Sequence, residues 1–364
     1  MFLNILLVQN SLKTTWLFRS SYIKNVISKG GNVSVVAFDD GKEFKEQLES
    51  IGANVYSITH RNICIKLILL NFIILFRLGR VSSNIQCHFI STILMSLPSL
   101  LFFSRKVTIV VEGLGSFLET RPFMLKVLKK VFSCFRFNRI FMNSDERLSL
   151  GDPGDLVMYG IGIELDDYYD LVQEKESGNQ SLSICFAGRL IKDKGINDVF
   201  SVVELCLENG LDVKLNIFGD TYPGNPSSLT DVDIAKISER FGDKVHFWGF
   251  KDDLKRYLSS NDLLILPSRR EGFPVVVMEA SALGIPSIAY NVSGCRDAIR
   301  DSVNGFLVDY GDIMEIYKKL LIFINLTASE KNALSSKAKD YAMENYSRSV
   351  KDEALLASVL SHSA

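Results

Sequence analysis

The chain has 364 residues, 47% hydrophobic and 23% charged, which excludes a disordered or fibrous protein and suits two folded domains, each with its own core. The 41 Lys and Arg nearly balance the 42 Asp and Glu, but unevenly: residues 1–160 hold 19 cations and 11 anions, the rest 22 and 31. A basic first half points to an anionic partner.

The opening "MFLNILLVQNS" begins directly as a strand and lacks the basic n-region and cleavage site of a signal peptide, so a cytoplasmic protein is expected. "NILLVQN" is followed by a helical "TWLFRSSYIKNVISKGG" and then by "NVSVVAF", one βαβ unit with the glycines at 30 and 31 as a helix end. "ICIKLILLNFIILFRLG" carries Lys66 and Arg77, and "FISTILMSLPSLLFF" contains Pro98; both are shorter than the ~20 apolar residues a bilayer demands, and both read as buried helices. "VTIVVEG" and "RIFMNS" continue the strand series. Between them, "RPFMLKVLKKVFSCFRFNRI" at 100° per residue puts Met124, Val127, Leu128, Val131, Phe132 and Phe135 on one arc, and Lys126, Lys129, Lys130 and Arg136 on the opposite one. This basic amphipathic helix suits either a core-facing helix with a solvated side or contact with anionic lipid.

After a polar stretch, "ELDDYYDLVQEKESGNQS", the alternation resumes with "SLSICFAGRL", "DVKLNIFGD", "KVHFWGF", "DLLILPS", "IPSIAY" and "GFLVD". The predicted organisation is an α/β chain with two Rossmann-like domains: residues 1–165, a linker at 166–180, residues 181–345, and a terminal helix at 346–364. Open parallel sheets bind ligands beyond their strands' C-terminal ends, so a cleft between the two domains is expected to hold the substrate. A dinucleotide is disfavoured, because "VQNSLKTTW" after the first strand has no glycine where GxGxxG would stand.

Phosphate chemistry is instead legible in "CFAGRLIKDKGINDV". Gly188 ends a strand, and Arg189 and Lys194 bracket a short loop before a helix. A diphosphate calls for this set: a planar guanidinium, an ammonium and a small residue that lets the ligand approach the backbone. Further on, "SRREGFPVVVMEASALGIPSIAYNVSGCRDAI" reads as a loop and a helix closed by Gly284, with Pro286 beyond. Glu271 lies just before that helix and its free amides, and Glu279 about one turn inside, where it reaches a ribose or a hydroxyl pair.

These residues resemble the retaining nucleotide-sugar glycosyltransferases of the GT-B fold that carry an E-x7-E motif, family 4. Glu271 and Glu279 match the two glutamates, and Gly272, Phe273, Pro274 and Val275 lie in the matching stretch. "FAGRLIKDKGINDV" matches the Gly-Arg-Leu and Lys-Gly segment, which implies that Arg189 and Lys194 bind the donor diphosphate. "NIFGD" with Gly219 and "VHFWGF" with Gly249 and Phe250 match strand ends that line the nucleotide pocket. In the first half, "VEGLGSF" looks like a loop of bacterial enzymes that extend polyprenyl-diphosphate-linked sugars in O-antigen assembly, some of which add N-acetylgalactosamine. Glu112, Gly113 and Gly115 would then face the acceptor. Two departures stand out: no glycine-rich loop follows the first strand, and Glu112 occupies a position near which many relatives carry a histidine.

The resemblance implies two domains facing each other across a cleft and a sugar, here guessed as an N-acetylhexosamine, moved from a UDP-sugar to a polyprenyl-diphosphate-linked sugar with retention. The terminal helix would pack back on the first domain, and Lys126, Lys129, Lys130 and Arg136 would meet the inner face of the cell membrane. Arg189, Lys194 and helix amides would neutralise the leaving diphosphate, with no metal and no other cofactor; the Asp pairs at 39–40, 166–167 and 252–253 are not placed as a metal-bridging DxD. Glu112 follows a strand and could orient or deprotonate the acceptor hydroxyl; capping is its structural alternative. A glycosidase is disfavoured because eight helical residues span ~12 Å, against ~5 Å between retaining carboxyls. A sugar-nucleotide epimerase or hydrolase and a silent membrane-associated scaffold are the competing functions. Six cysteines without CxxC spacing read as buried thiols of a reducing compartment. Four scattered histidines offer no metal spacing, and no nucleic-acid module is visible.

Overall fold

The structure is a computed structural model that describes residues 3–115, 118, 120–171 and 181–363. The chain divides into two compact units, Met1–Ile161 with Arg348–Ala364, and Gly162–Ser347.

The first unit is built on a parallel sheet of β1 (Asn4–Gln9), β2 (Asn32–Phe38), β3 (Asn54–Ile58), β4 (Asn84–His88), β5 (Val107–Val111), β6 (Asn138–Phe141) and β7 (Leu156–Val157), in the order β3-β2-β1-β4-β5-β6-β7. Runs such as Ile5–Val8 and Val107–Val111 are buried throughout, as strands covered by helices on both faces must be. The chain winds outward from β1 to β3 and returns to β4 on β1's other side, so Leu7 pairs with both Val35 and Gln86. The ends of β1 and β4 therefore flank the switch point at which such sheets open a crevice. Helix Leu12–Ser28 starts there, capped by the Ser11 hydroxyl, which accepts from the Thr14 N–H at 3.1 Å.

Helix Arg348–Ser363 also belongs to this unit and lies along helix Leu12–Ser28. Lys29 and Asn25 reach Glu353, Lys351 donates to the Met158 carbonyl, and Ser358 meets Asn138.

The second unit repeats the plan with β8 (Leu182–Ala187), β9 (Val213–Phe218), β10 (Val245–Gly249), β11 (Leu263–Leu266), β12 (Ser287–Tyr290) and β13 (Gly305–Val308), in the order β10-β9-β8-β11-β12-β13. Its switch point lies between β8 and β11. Both are wholly buried at their C-terminal ends, and a core of Ile184, Phe186, Val199, Val203, Leu215, Ile217 and Ile265 fixes them.

Three expectations are corrected, and the basic amphipathic helix left open between core and lipid is described with them. "ICIKLILLNFIILFRLG" is helical, as helix Ile63–Phe72 and a π-helical continuation Ile73–Leu78, but it is not a buried helix. Only Leu70, Ile74 and Leu78 enter the core, while Ile65, Ile68, Phe72 and Phe76 are exposed, because a helix laid on the outside of a sheet contacts it along one stripe only. Helix Pro122–Cys134 buries Leu128 and Phe132 alone of its apolar arc; Met124, Val127 and Phe135 are exposed, as is Phe123. The linker placed at 166–180 starts inside the second unit, where Asp166–Tyr169 is a helical turn with Tyr168 buried; residues 172–180 lie outside the described residues. Cys87, Cys185, Cys206 and Cys295 are buried, whereas Cys64 and Cys134 are exposed on the two helices just described.

Candidate functional site

In the second unit, the loops after β8 and β11 form one assembly on either side of the switch point. Leaving β8, the Gly188 N–H donates to the Phe218 carbonyl at 2.9 Å and the Leu190 N–H to the Asp220 carbonyl at 3.0 Å. Leu190 and Ile191 are buried, so two apolar anchors hold the loop while Arg189 and the turn Lys192–Lys194 stay near the surface. Gly195 follows with φ 74° and opens helix Ile196–Glu208. A Cβ there would collide with the Pro267 carbonyl at the end of β11, so this close approach of the two loops demands glycine.

The loop after β11 runs from Pro267 to Pro274 and enters helix Val275–Ala282. Three contacts tie it to the first loop. The Arg269 N–H donates to the Asp193 carbonyl at 2.9 Å, Arg270 Nη2 donates to Asp193 Oδ2 at 2.7 Å, and Lys194 Nζ donates to Glu271 Oε1 at 2.5 Å. The last pair is largely enclosed, with 20% and 12% of the two side chains exposed. Behind it, the Glu271 N–H donates to the Ser293 carbonyl at 3.2 Å. A Cβ on Gly294 would lie 2.5 Å from the Glu271 carbonyl oxygen. The neighbouring Cys295 thiol is pushed well up, by burial first and by the Glu271 carboxylate second.

The remaining residues singled out in this unit surround that pair. Arg189 holds its guanidinium over the Tyr222 ring, 4.9 Å from the centroid. Gly219 backs onto the Gly188 carbonyl so closely that no side chain fits. Gly219 and Gly249, with Leu190, Asp220, Asp231 and Phe247, line a depression of about 360 Å³. Its two carboxylates suit hydroxyl or N–H donors rather than phosphate. Asp220 Oδ1 also accepts from the Phe250 N–H at 3.0 Å, leaving the Phe250 ring exposed. Gly272, Phe273 and Pro274 complete the turn into the helix that begins at Val275, and Phe273 packs edge-on against buried Tyr346. Glu279 lies on that helix and accepts from the Tyr168 hydroxyl at 3.1 Å.

In the first unit, Glu112 follows β5 and is enclosed rather than open: it forms a short ion pair with Arg19 and accepts from His88 Nδ1 at 2.8 Å. Burial pushes its carboxyl up, but the Arg19 guanidinium and His88 prevail and hold it below the usual carboxylate range. His88 is pushed down to about 4, by burial first and by Arg19 second, so its ring is neutral, with Nδ1 facing both the Glu112 carboxylate and the Arg19 guanidinium. Beside them Glu146, 1% exposed, accepts from the Gly113 N–H at 2.6 Å and the Met142 N–H at 3.2 Å. Burial, with help from Glu112, carries its carboxyl up to about 8. Gly113 is thus pinned, while Gly115 is exposed; Ser116 and Phe117 lie outside the described residues.

Sequence reasoning passed over Arg19, His88 and Glu146. His88 ends a five-residue strand, "NIQCH", whose Asn, Gln and His hide its burial; the one available signal was its place in a short run before the apolar helix at 90–102.

Lys126, Lys130 and Arg136 are exposed, and Lys129 donates to the Leu148 carbonyl at 3.0 Å. Among the described residues, no group of three or more His, Cys, Asp or Glu is placed to hold a metal, and no helix is long and apolar enough to cross a membrane.

The two sheets and these loops have counterparts among known proteins. Residues 170–341 match the family "Glycosyl transferases group 1", so this segment is a group 1 glycosyltransferase domain, and it contains Arg189, Lys194, Glu271 and Glu279. Over 352 residues the chain is 23% identical to the N,N'-diacetylbacillosaminyl-diphospho-undecaprenol alpha-1,3-N-acetylgalactosaminyltransferase of Campylobacter jejuni, covering 89% of this chain and 90% of that one. It is 31% identical to the capsular polysaccharide biosynthesis glycosyltransferase CapM of Staphylococcus aureus, over 40% of this chain; the chain spans only 38% of CapM's length in that match. The crystal structure of Anabaena Alr3699/HepE in complex with UDP and glucose superposes with a TM-score of 0.80 at 18% identity, covering 99% of this chain and 100% of that one. The fold is therefore the GT-B fold, two parallel-sheet α/β domains.

Proposed function

We propose that the protein is a retaining glycosyltransferase of bacterial surface-polysaccharide assembly. It moves a sugar, an N-acetylhexosamine, from a UDP-sugar to a polyprenyl-diphosphate-linked sugar without a metal ion. The observation that carries the reading is the joining of the β8 and β11 loops: Lys194 meets Glu271 at 2.5 Å, with Arg189 on the same loop as Lys194 and free of any ion pair among the described residues. Cations fixed at strand ends neutralise a departing diphosphate, and a carboxylate beside them orients sugar hydroxyls. Relatives named as undecaprenol-diphosphate-sugar transferases and a structural neighbour with UDP and glucose support the choice of substrates.

On the acceptor side, Glu112 is the reading's carboxylate. Held ionised by Arg19, it is better suited to orient an acceptor hydroxyl than to take its proton. Contact with an anionic membrane, in the cell its inner face, is supported by the exposed Phe123, Met124 and Val127 beside Lys126 and Lys130. A second exposed face, Ile65, Ile68, Phe72 and Phe76 with Arg77, has its buried stripe in the same core. No Asp or Glu occurs between Glu49 and Glu112, so no acidic residue lies within the segment that carries Arg77 and this second face.

The test is to incubate the full chain with UDP-N-acetylhexosamine and a polyprenyl-diphosphate sugar in the presence of a chelator. Transfer with an α product from an α donor is the expected result. Donor consumption without acceptor would favour the hydrolase or epimerase, and no turnover with any UDP- or GDP-sugar would remove the reading.

A further inference from the structure

The donor-site reading leaves open what the Lys194–Glu271 pair does when a donor arrives. The backbones behind the two side chains are locked together by the Arg269–Asp193, Arg270–Asp193 and Glu271–Ser293 hydrogen bonds and by the glycine contacts at 195 and 294. The side chains at the loop tips are what can rearrange. Without ligand, ammonium and carboxylate neutralise each other. A diphosphate brings more negative charge than one carboxylate and takes the ammonium. Glu271 is then left as a carboxylate in a largely enclosed place, next to the buried Cys295 and with no second cation paired to it among the described contacts. Losing its partner there is costly unless new donors reach it. The hydroxyls of a bound sugar are such donors; a nucleoside diphosphate alone has none at that position.

Resting on that reading of the site, we propose that Glu271 is an internal competitor of the diphosphate for Lys194. Donor binding exchanges the protein's ion pair for an ammonium–diphosphate pair and a set of carboxylate–hydroxyl hydrogen bonds. Once the sugar has left, Glu271 reclaims Lys194 and weakens the hold on the nucleoside diphosphate, so the pair favours intact donor over spent donor and hastens product release.

The test is calorimetric titration of the full chain with UDP, in four forms: unaltered, Glu271→Gln, Lys194→Gln and the double variant. Removing the competitor should tighten UDP by roughly three- to tenfold in Glu271→Gln. That gain should vanish in the Lys194→Gln background, where there is no ammonium to compete for. If the unaltered protein binds UDP but Glu271→Gln binds it equally or more weakly, or gains as much without Lys194, the exchange is overturned while the donor site stands. If the unaltered protein does not bind UDP, the donor-site reading falls and the exchange with it. Should Glu271→Gln fail to fold, as judged by its melting transition, Glu271→Asp carries the same expected sign, since the shorter carboxylate no longer reaches the ammonium at 2.5 Å.

Discussion

Two carboxylate–cation pairs sit at strand ends of this chain, and they are built for different work. Glu271 and Lys194 keep 12% and 20% of their side chains exposed, whereas Glu112 and Arg19 keep 8% and 3%. Glu112 has a second partner in His88 and a second carboxylate, Glu146, close by; Lys194 and Glu271 have one another. On the exchange proposed above, the first pair gives way to a ligand, while the second, with His88 as a further partner, stays. The burial of the two carboxylates differs little, and the number of partners separates the pairs: Glu112 keeps His88 beside Arg19, whereas Glu271 has no second cation among the described contacts.

Substitutions should separate the pairs sharply. In the second unit, Arg189→Ala is expected to lower transfer by roughly a hundred- to a thousandfold with the melting temperature unchanged, since among the described residues its guanidinium rests on Tyr222 alone; initial rates with saturating donor check this. Arg19→Ala should do the opposite in kind. It strands Glu112 in a buried site and should cost about 3–5 kcal/mol of stability, read as a lowered midpoint in urea. A midpoint within error of the unaltered protein would show that the buried pair is not structural and would erase the contrast.

The pH dependence of stability sharpens the description of the first unit. His88 is neutral when folded, lowered from 6.5 to about 4, so its contribution is complete above about 6.5 and is lost as pH falls toward 4. Glu112, held below 4.5, adds stability above that value and loses it as pH falls through its folded pKa. Glu146 runs the other way: raised from 4.5 to about 8, its contribution is complete below 4.5 and is lost as pH rises through 8. Between 4.5 and 6.5 the slopes of His88 and Glu146 oppose one another. Denaturation midpoints should change little across that window in the unaltered protein. Glu146→Gln should expose the His88 slope, a gain of about one proton's worth with rising pH; a flat profile in that variant would contradict the assignment.

Much of the second unit was legible because its chemistry is local. "FAGRLIKDKG" and "SRREGFP" each carry strand end, loop and charge within ten residues, and the apolar runs around them read directly as buried strands. What was not legible there is the pairing itself, since nothing in the sequence says that Lys194 and Glu271, 77 positions apart, share a hydrogen bond. In the first unit the corresponding cluster is assembled from residues 19, 88, 112 and 146, on one helix, two strand ends and a second helix, and no window contains two of them. β3 and β4 were missed because "NVYSI" and "NIQCH" are short and half polar. Helix Ile63–Phe72 departs from expectation for a converse reason: its apolar composition predicts burial, although a helix on a sheet buries one stripe whatever its other faces carry.

The two helices with exposed apolar faces carry the last and smallest predicted effect. Helix Pro122–Cys134 combines exposed Phe123, Met124 and Val127 with Lys126 and Lys130, while helix Ile63–Phe72 and its continuation expose Ile68, Phe72 and Phe76 with few charges. If both meet a bilayer, they should fail differently. Lys126→Gln with Lys130→Gln should reduce binding to phosphatidylglycerol-containing vesicles by about fivefold for each charge removed. It should leave binding to neutral phosphatidylcholine vesicles as it was, and the loss should shrink in high salt. Phe72→Ser with Phe76→Ser should weaken binding to both vesicle types, with little dependence on salt, because buried apolar area has no preference for lipid charge. Vesicle co-sedimentation of the full chain distinguishes the two patterns. Equal effects of the two double variants on both vesicle types would mean that one surface makes the contact, and no sedimentation of the unaltered protein would return both faces to solvent or to another protein.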